Sequence, residues 1–460
     1  MLSQQSLYKI LNIEISPKSA EILIYAEQQT ERLSYVCEFI FKHVLKLNFR
    51  LYTQLNDFEN QKGLKLNYSS KFIPQAFQII PNGLLEQKGI LEQRPIPDLK
   101  NNILYFYPTE SLHTYFKDCL HFDIFSSIFY LISRYEEWQH FTPDAHGRFE
   151  VEQSSLFKNS FHLKPLVEIW ILELKTELQK LFPDFVFTET QYQVLSTIDV
   201  DNLYAFKSKG ILRTLGAGIK DILKGDLTNL SQRIRVLTGK LPDPFDIYES
   251  VSDFCFEKKI PLIYFFLFKT GDTHNRTVDP DSGAFKNVFS SIRSNHAHIA
   301  IHPSYNASIK NELLEKELTE LTKQSGQVIG LSRQHYLRFD IRTTPNNLLK
   351  HGIFSDFTMG YASQAGFRAG TSHPFHYYDF NSEKRTELLF VPFCVMDGAY
   401  TIYKNASPET AYKQMLALAQ EVKKVNGLFI TVFHERSFSD HLYPGFGTLY
   451  KKLHTQIKAL

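Results

Sequence analysis

Two aspartates, Asp199 and Asp201, stand one residue apart at the end of the apolar run VLSTI (Val194 to Ile198). Like charges this close at the end of a buried strand are costly unless something neutralises or uses them. Similar polar endings recur along the chain. His302 follows HIAI, Arg333 follows VIGLS, Asp397 comes just after FVPFCV, and His434 follows FITVF. Two acids, a histidine from a third run and a lone histidine from the last fit a single-metal hydrolase. One carboxylate and one histidine hold a divalent metal, which brings the pKa of a bound water toward neutrality. The second carboxylate takes that water's proton, and a histidine across the site protonates the leaving group. A metal offsets one of the two charges, and the abstracted proton uses the other.

For these groups to meet, the runs that carry them must be neighbouring strands. After Gln191 the chain alternates strand-like and helix-like segments. VLSTID leads to the helix-like IYESVSDFCFEKK (Ile247 to Lys259), then to PLIYFFLF (Pro261 to Phe268). HIAI (His298 to Ile301), the helix Lys310 to Lys323, QVIGLS (Gln327 to Ser332) and LLFVPFCV (Leu388 to Val395) follow. Ser407 and Pro408 are an N-cap and first helical residue, and that helix stops before Asn426-Gly427 and LFITVF. Continuous apolar strands joined by helices predict an α/β architecture, a mostly parallel sheet closed as a barrel or open. Either form collects functional groups beyond the C-terminal strand ends. Residues 1–190 predict a smaller α/β domain, with strands at Ile22 to Tyr25 and Ile103 to Tyr107 and helices at Asp123 to Glu137 and Pro165 to Gln179. Its polar loop FTPDAHGRFE (Phe141 to Glu150) reads as structural.

With 460 residues, 43% of them apolar and 22% charged, the chain has room for two or three globular domains. A net charge of +2 argues against a dedicated nucleic-acid binder. Four scattered cysteines without a CxxC pair imply no disulfide framework and a reducing compartment. The start MLSQQSLYKILNIEIS lacks a basic, apolar leader, and no run of about 18 apolar residues occurs, so the expectation is a soluble, cytoplasmic protein without a transmembrane segment. The segment Asn202 to Leu241 carries eight Lys or Arg against two acids. It reads as a solvated face, or as a lid that meets an anionic substrate such as a nucleotide- or lipid-linked sugar.

The region from Gln191 to Leu460 resembles the polysaccharide deacetylases, the NodB-homology family. TIDVD (Thr197 to Asp201) looks like its first motif, IAIHPSYN (Ile299 to Asn306) its second, GFRAGTSHPF (Gly366 to Phe375) its third, VMDG its fourth and FITVFH its fifth. The resemblance implies a distorted (β/α) barrel preceded, in one subgroup, by an uncharacterised α/β domain. It implies removal of an acetyl group from an N- or O-acetylated sugar or polysaccharide precursor, with a divalent metal, zinc first among candidates. By the match Asp199 is the general base and His434 the general acid, while Arg368 orients the base and Asp397 tunes the acid. Asp201 and His302 are implied metal ligands, with Asn306 at the third ligand position.

Asn306 stands where the family usually has a second histidine, and a carbonyl oxygen binds zinc far more weakly than imidazole. His298 lies about 13 Å from His302 on an extended strand, too far to share an ion. His335, from the neighbouring strand end, is the better-placed substitute. Arg333 and His335 are otherwise candidate substrate-binding residues. Each residue also has a plainer reading: a capping acid for the Asp pair, a core histidine for His434, a salt bridge for Arg368, a turn for Asp397-Gly398. From these an alternative follows, a catalytically silent barrel that binds glycans after losing a metal ligand.

Overall fold

The computed structural model describes residues 4–11, 20–109, 119–188, 190–269, 274–294 and 297–460. Much of the stretch Met1 to Ser16, on which the expectation of no leader rests, lies outside the described residues. Among the described residues no helix is long and apolar enough to cross a membrane.

A small parallel sheet comes first, from β1 (Glu21–Ala26), β2 (Asn48–Tyr52), β3 (Leu64–Tyr68) and β4 (Phe77–Ile79), in the order β2-β1-β3-β4. A short antiparallel pair, β5 (Asp98–Lys100) and β6 (Ile103–Tyr105), follows. The helix expected over Asp123 to Glu137 is capped by Asp123, whose carboxylate accepts from the Ser126 backbone N–H, but it ends at Ile132. Arg134 there adopts a left-handed φ of 55° and starts a separate turn, Tyr135–Trp138.

The second sheet has nine strands: β7 (Gln193–Val200), β8 (Leu262–Leu267), β9 (His298–His302), β10 (Leu331–Ser332), β11 (Ser355–Asp356), β12 (Phe375–Asp379), β13 (Lys384–Phe390), β14 (Val395–Met396) and β15 (Leu428–His434). Their order is β12-β13-β11-β10-β9-β8-β7-β15-β14, parallel except for the β12–β13 pair. The expected distorted barrel is realised as a curled, open sheet, a half-barrel with flanking α/β elements. Its edge strand β14 has two residues, too few to bridge to β12. The single strand expected over Leu388 to Val395 is two strands on different parts of the sheet. Pro392, which has no N–H to donate, interrupts the run between them.

Period-two alternation sorts the strand residues into two cores. Val194, Ile198, Tyr264, Phe266, Ile299, Ile301, Phe429 and Phe433 face outward, into one buried cluster that continues through the helices to the N-terminal sheet. Leu195, Ile263, Phe265, Ala300, Leu331, Ile430 and Val432 face inward, where Leu7 and Leu11 of the N-terminal segment join them. Each fully buried Val, Leu, Ile, Met or Phe contributes about 1.5–3 kcal/mol. A dozen or more such residues on the inner face can offset the cost of placing charges beside them.

Candidate metal centre

Parity along the strands places the site. Asp199 and Asp201 continue the inward series of Leu195, His302 that of Ala300, Arg333 and His335 that of Leu331, and His434 that of Val432. The strands β14, β15, β7, β8, β9 and β10 are consecutive neighbours, so their C-terminal tips form one arc. Register confirms the approach, with His434 paired opposite Asp199. The tips line a cavity of about 480 Å³ that includes Asp199, Asp201, His302, His335, His434 and Arg436.

Asp201, His302 and His335 form a buried group whose ligand atoms all lie within 4.8 Å of one another. His302 Nδ1 lies 2.6 Å from the Arg333 carbonyl oxygen, which can only accept, so Nδ1 carries the proton and Nε2 keeps a lone pair. His335 Nδ1 donates in the same way to Asn275 Oδ1 at 3.1 Å. Both Nε2 atoms face Asp201 Oδ1, at 3.4 and 3.5 Å. That oxygen is buried and has no hydrogen-bond partner. Burial holds the His335 imidazole down at about 3, so it is a neutral donor at physiological pH. Three lone pairs converging without a proton between them call for a cation. A tetrahedral ion with bonds near 2.0–2.1 Å spaces its ligands by roughly 3.3 Å, close to the 3.4 and 3.5 Å from Asp201 Oδ1 to the two imidazoles. The Asp/His/His cluster can therefore coordinate a divalent metal.

The groups around it are fixed in pairs. Arg333 Nη1 donates to Asp199 Oδ1 at 2.6 Å and its Nε to the Phe357 carbonyl at 3.0 Å, while its guanidinium lies 4.4 Å from the Phe265 ring. His434 Nδ1 donates to Asp397 Oδ1 at 2.6 Å, and the His434 backbone N–H to Asp397 Oδ2 at 2.7 Å. Burial disfavours the imidazolium of His434, but the Asp397 carboxylate outweighs it and raises the pKa to about 9. Burial likewise opposes the charge of Asp201, yet Arg436 and the imidazoles hold it well below the usual carboxylate range.

Two expected roles fall elsewhere. Arg368 does not touch Asp199. It pairs with Glu137 of the N-terminal region through Nε and Nη2 at 2.8 and 2.6 Å, and the arginine that pairs with Asp199 is Arg333. Asn306 is not among the residues lining the cavity. It sits in the turn after β9, where its carbonyl accepts from the N–H groups of Ile309 and Lys310, and His335 supplies the third donor. The turn that presents His335 has left-handed φ values of 60° at Tyr336 and 52° at Leu337. Such non-glycine conformations cost about 1–3 kcal/mol each and persist where the surroundings hold them.

Several site residues carried no signal strong enough to single out. Arg436 ion-pairs with Asp201 Oδ2, and Glu435 accepts from the backbone N–H groups of Asp201 and Asn202 at 3.0 and 3.1 Å. Arg436 stands two residues beyond His434, the same step that separates Asp201 from Asp199, and that repeat was its only sequence cue. Arg148, from the loop read as structural, lines the cavity and donates to the Tyr336 carbonyl at 3.0 Å.

Residues 22–183 match a family model described as a family of unknown function, DUF7033. No curated protein matches the chain. Among solved structures, it is similar to a provisionally assigned polysaccharide deacetylase from Mycobacterium smegmatis, with 14% identity, a TM-score of 0.39, and coverage of 59% of this chain and 86% of that one. It is also similar to PuuE allantoinase (11% identity, TM-score 0.36, coverage 59% and 85%). A third is the family 4 carbohydrate esterase from Streptomyces lividans in complex with acetate (9% identity, TM-score 0.28, coverage 58% and 91%).

Proposed function

We propose that the chain is a metal-dependent hydrolase that removes an acetyl group from an N- or O-acetylated sugar, with zinc as the ion. One observation carries this reading: the partnerless Asp201 oxygen faces two imidazole lone pairs, between an arginine-held aspartate and an aspartate-held histidine. A divalent cation held by Asp201, His302 and His335 would polarise an acetyl carbonyl and acidify water, and a nitrogen-rich donor set suits zinc. Arg333 fixes one oxygen of Asp199, leaving the other to take a proton from the attacking water. His434, with a pKa near 9, is protonated at neutral pH and gives the proton on Nε2 to the departing amine or alkoxide. Asp397 anchors Nδ1, so the proton given up is the one on the other nitrogen.

The glycan-binding alternative rested on Asn306, and with His335 beside Asp201 no observation favours it. A cytoplasmic site of action belongs to the same proposal, supported by four buried cysteines, none of them in a disulfide. The test is acetate release from N-acetylglucosamine oligomers and acetylated xylan by the zinc-loaded protein. Release should disappear with a chelator and in Asp199→Asn and His434→Asn. Zinc-loaded wild type that frees no acetate from either class would contradict the proposal.

A further inference from the structure

The basic segment that leaves the β7 tip folds as a helical hairpin, Ile211–Leu223 and Leu227–Leu237. Its first helix is oriented against the usual rule. Ile211, Leu212, Leu215, Ile219, Ile222 and Leu223 fall within an arc of about 120° at ~100° per residue, a well-formed apolar face. That face points away from the protein: Ile211, Leu212 and Leu223 are 79%, 88% and 82% exposed. The side turned inward carries Asp221, which is buried. In the second helix Leu227, Ile234 and Leu237 are exposed as well. Scattered surface leucines need no explanation, but six exposed apolar residues on one face of one helix do.

Charge identifies the occupant. The two acids of the segment are engaged: Asp221 accepts from Arg233 Nε and Asn229 Nδ2, both at 2.9 Å, and Asp226 caps the second helix. Lys220, Lys224, Arg235 and Lys240 are exposed on the same hairpin. At the hairpin's base a cavity of about 320 Å³ is lined by Lys209, Arg213 and Arg233 and shares Asn202 and Arg276 with the metal-site cavity. Cationic surface thus runs from the hairpin toward the site. An outward apolar face on a hairpin whose other exposed residues include four lysines and arginines is the composition of an interfacial helix on an anionic bilayer.

We infer that this hairpin seats on an anionic membrane surface, with the leucine and isoleucine face in the headgroup–acyl boundary and the lysines against lipid phosphates. The inference does not rest on the reaction assigned to the site.

Sedimentation of the full chain with phosphatidylcholine–phosphatidylglycerol vesicles, against phosphatidylcholine alone, tests it. Binding is expected to the anionic vesicles, weakening with salt, and to fall by about tenfold or more in Leu212→Ser/Leu215→Ser/Leu223→Ser. Lys220→Glu/Lys224→Glu should weaken anionic binding and leave the neutral control unchanged. The substituted side chains are exposed, so circular dichroism and zinc content should match wild type, which separates lost docking from lost fold. No sedimentation with anionic vesicles would overturn the inference, as would equal binding by the triple serine variant. A dimer in light scattering that the serine variant dissociates, without vesicle binding, would assign the face to a second copy of this chain and also overturn it.

Discussion

Two of the buried places where arginine meets carboxylate have opposite outcomes. At the contact between the N-terminal region and the loop before β12, Glu137 accepts from Arg134 at 2.8 Å and from Arg368 at 2.8 and 2.6 Å, so both its oxygens are satisfied. Burial opposes the charge there, yet the two guanidinium groups bring the Glu137 pKa down to about 2. At the strand tips Arg333 holds Asp199, but Arg333 Nη2 and Asp201 Oδ1 stay without partners, and the histidines present lone pairs to a carboxylate. Buried polar groups are almost always paired, so unspent bonding capacity separates a binding site from a structural clasp. Residue type alone does not distinguish them.

Substitutions can break that contrast at either pole. The largest effect is expected in Asp199→Asn, with acetate release falling by about 10²–10⁴ while bound zinc stays at the wild-type level. Equal loss of metal would mean that Asp199 is a ligand. Arg368→Ala should leave Glu137 buried and underpaired and cost about 3–5 kcal/mol in urea denaturation, with metal affinity of the folded protein unchanged. An Arg368 variant of full stability and lost turnover would return that residue to the site.

Titration sharpens the same comparison. Glu137, with its pKa depressed, contributes stability that is complete above about 4.5 and disappears as pH falls through about 2. His434 is the reverse case: its contribution is complete below about 6.5 and is lost as pH rises through about 9. Asp397→Asn should therefore move the alkaline limb of the rate profile down from about 9 toward 6.5, read from kcat against pH. A limb that does not move would remove Asp397 from the control of His434. The smallest effect is expected in Asn306→His, with zinc affinity within about twofold of wild type, measured by competition with a chelating dye.

Much of the sheet was legible because strands of a parallel sheet are buried on both faces and leave continuous apolar runs. VLSTID, PLIYFFLF and LFITVF match β7, β8 and β15 to within one residue at each end. The Asp397–His434 pairing was implied by the family resemblance, through its fourth and fifth motifs, and the two side chains do meet. Which arginine meets Asp199 was not legible: Arg333 and Arg368 both follow strand-like or loop signals, and the partner that claims Arg368 lies 231 residues away. His335 was ambiguous for a related reason. Its approach to Asp201 depends on left-handed backbone at Tyr336 and Leu337, residue types that give no hint of positive φ. Arg148 reaches the cavity by tertiary packing of a loop whose own composition predicts only a turn.

Isothermal titration of the metal-free protein with zinc tests the central claim, that Asp201, His302 and His335 are one metal centre, most directly. Wild type, Asn306→Ala and Asp199→Asn should each bind one ion with similar affinity. Asp201→Ala, His302→Ala and His335→Ala should each weaken binding by more than the ~10–100-fold that loss of an outer partner costs. Zinc binding that survives His335→Ala and fails in Asn306→Ala, or a wild type that takes up no ion at micromolar concentration, would contradict it.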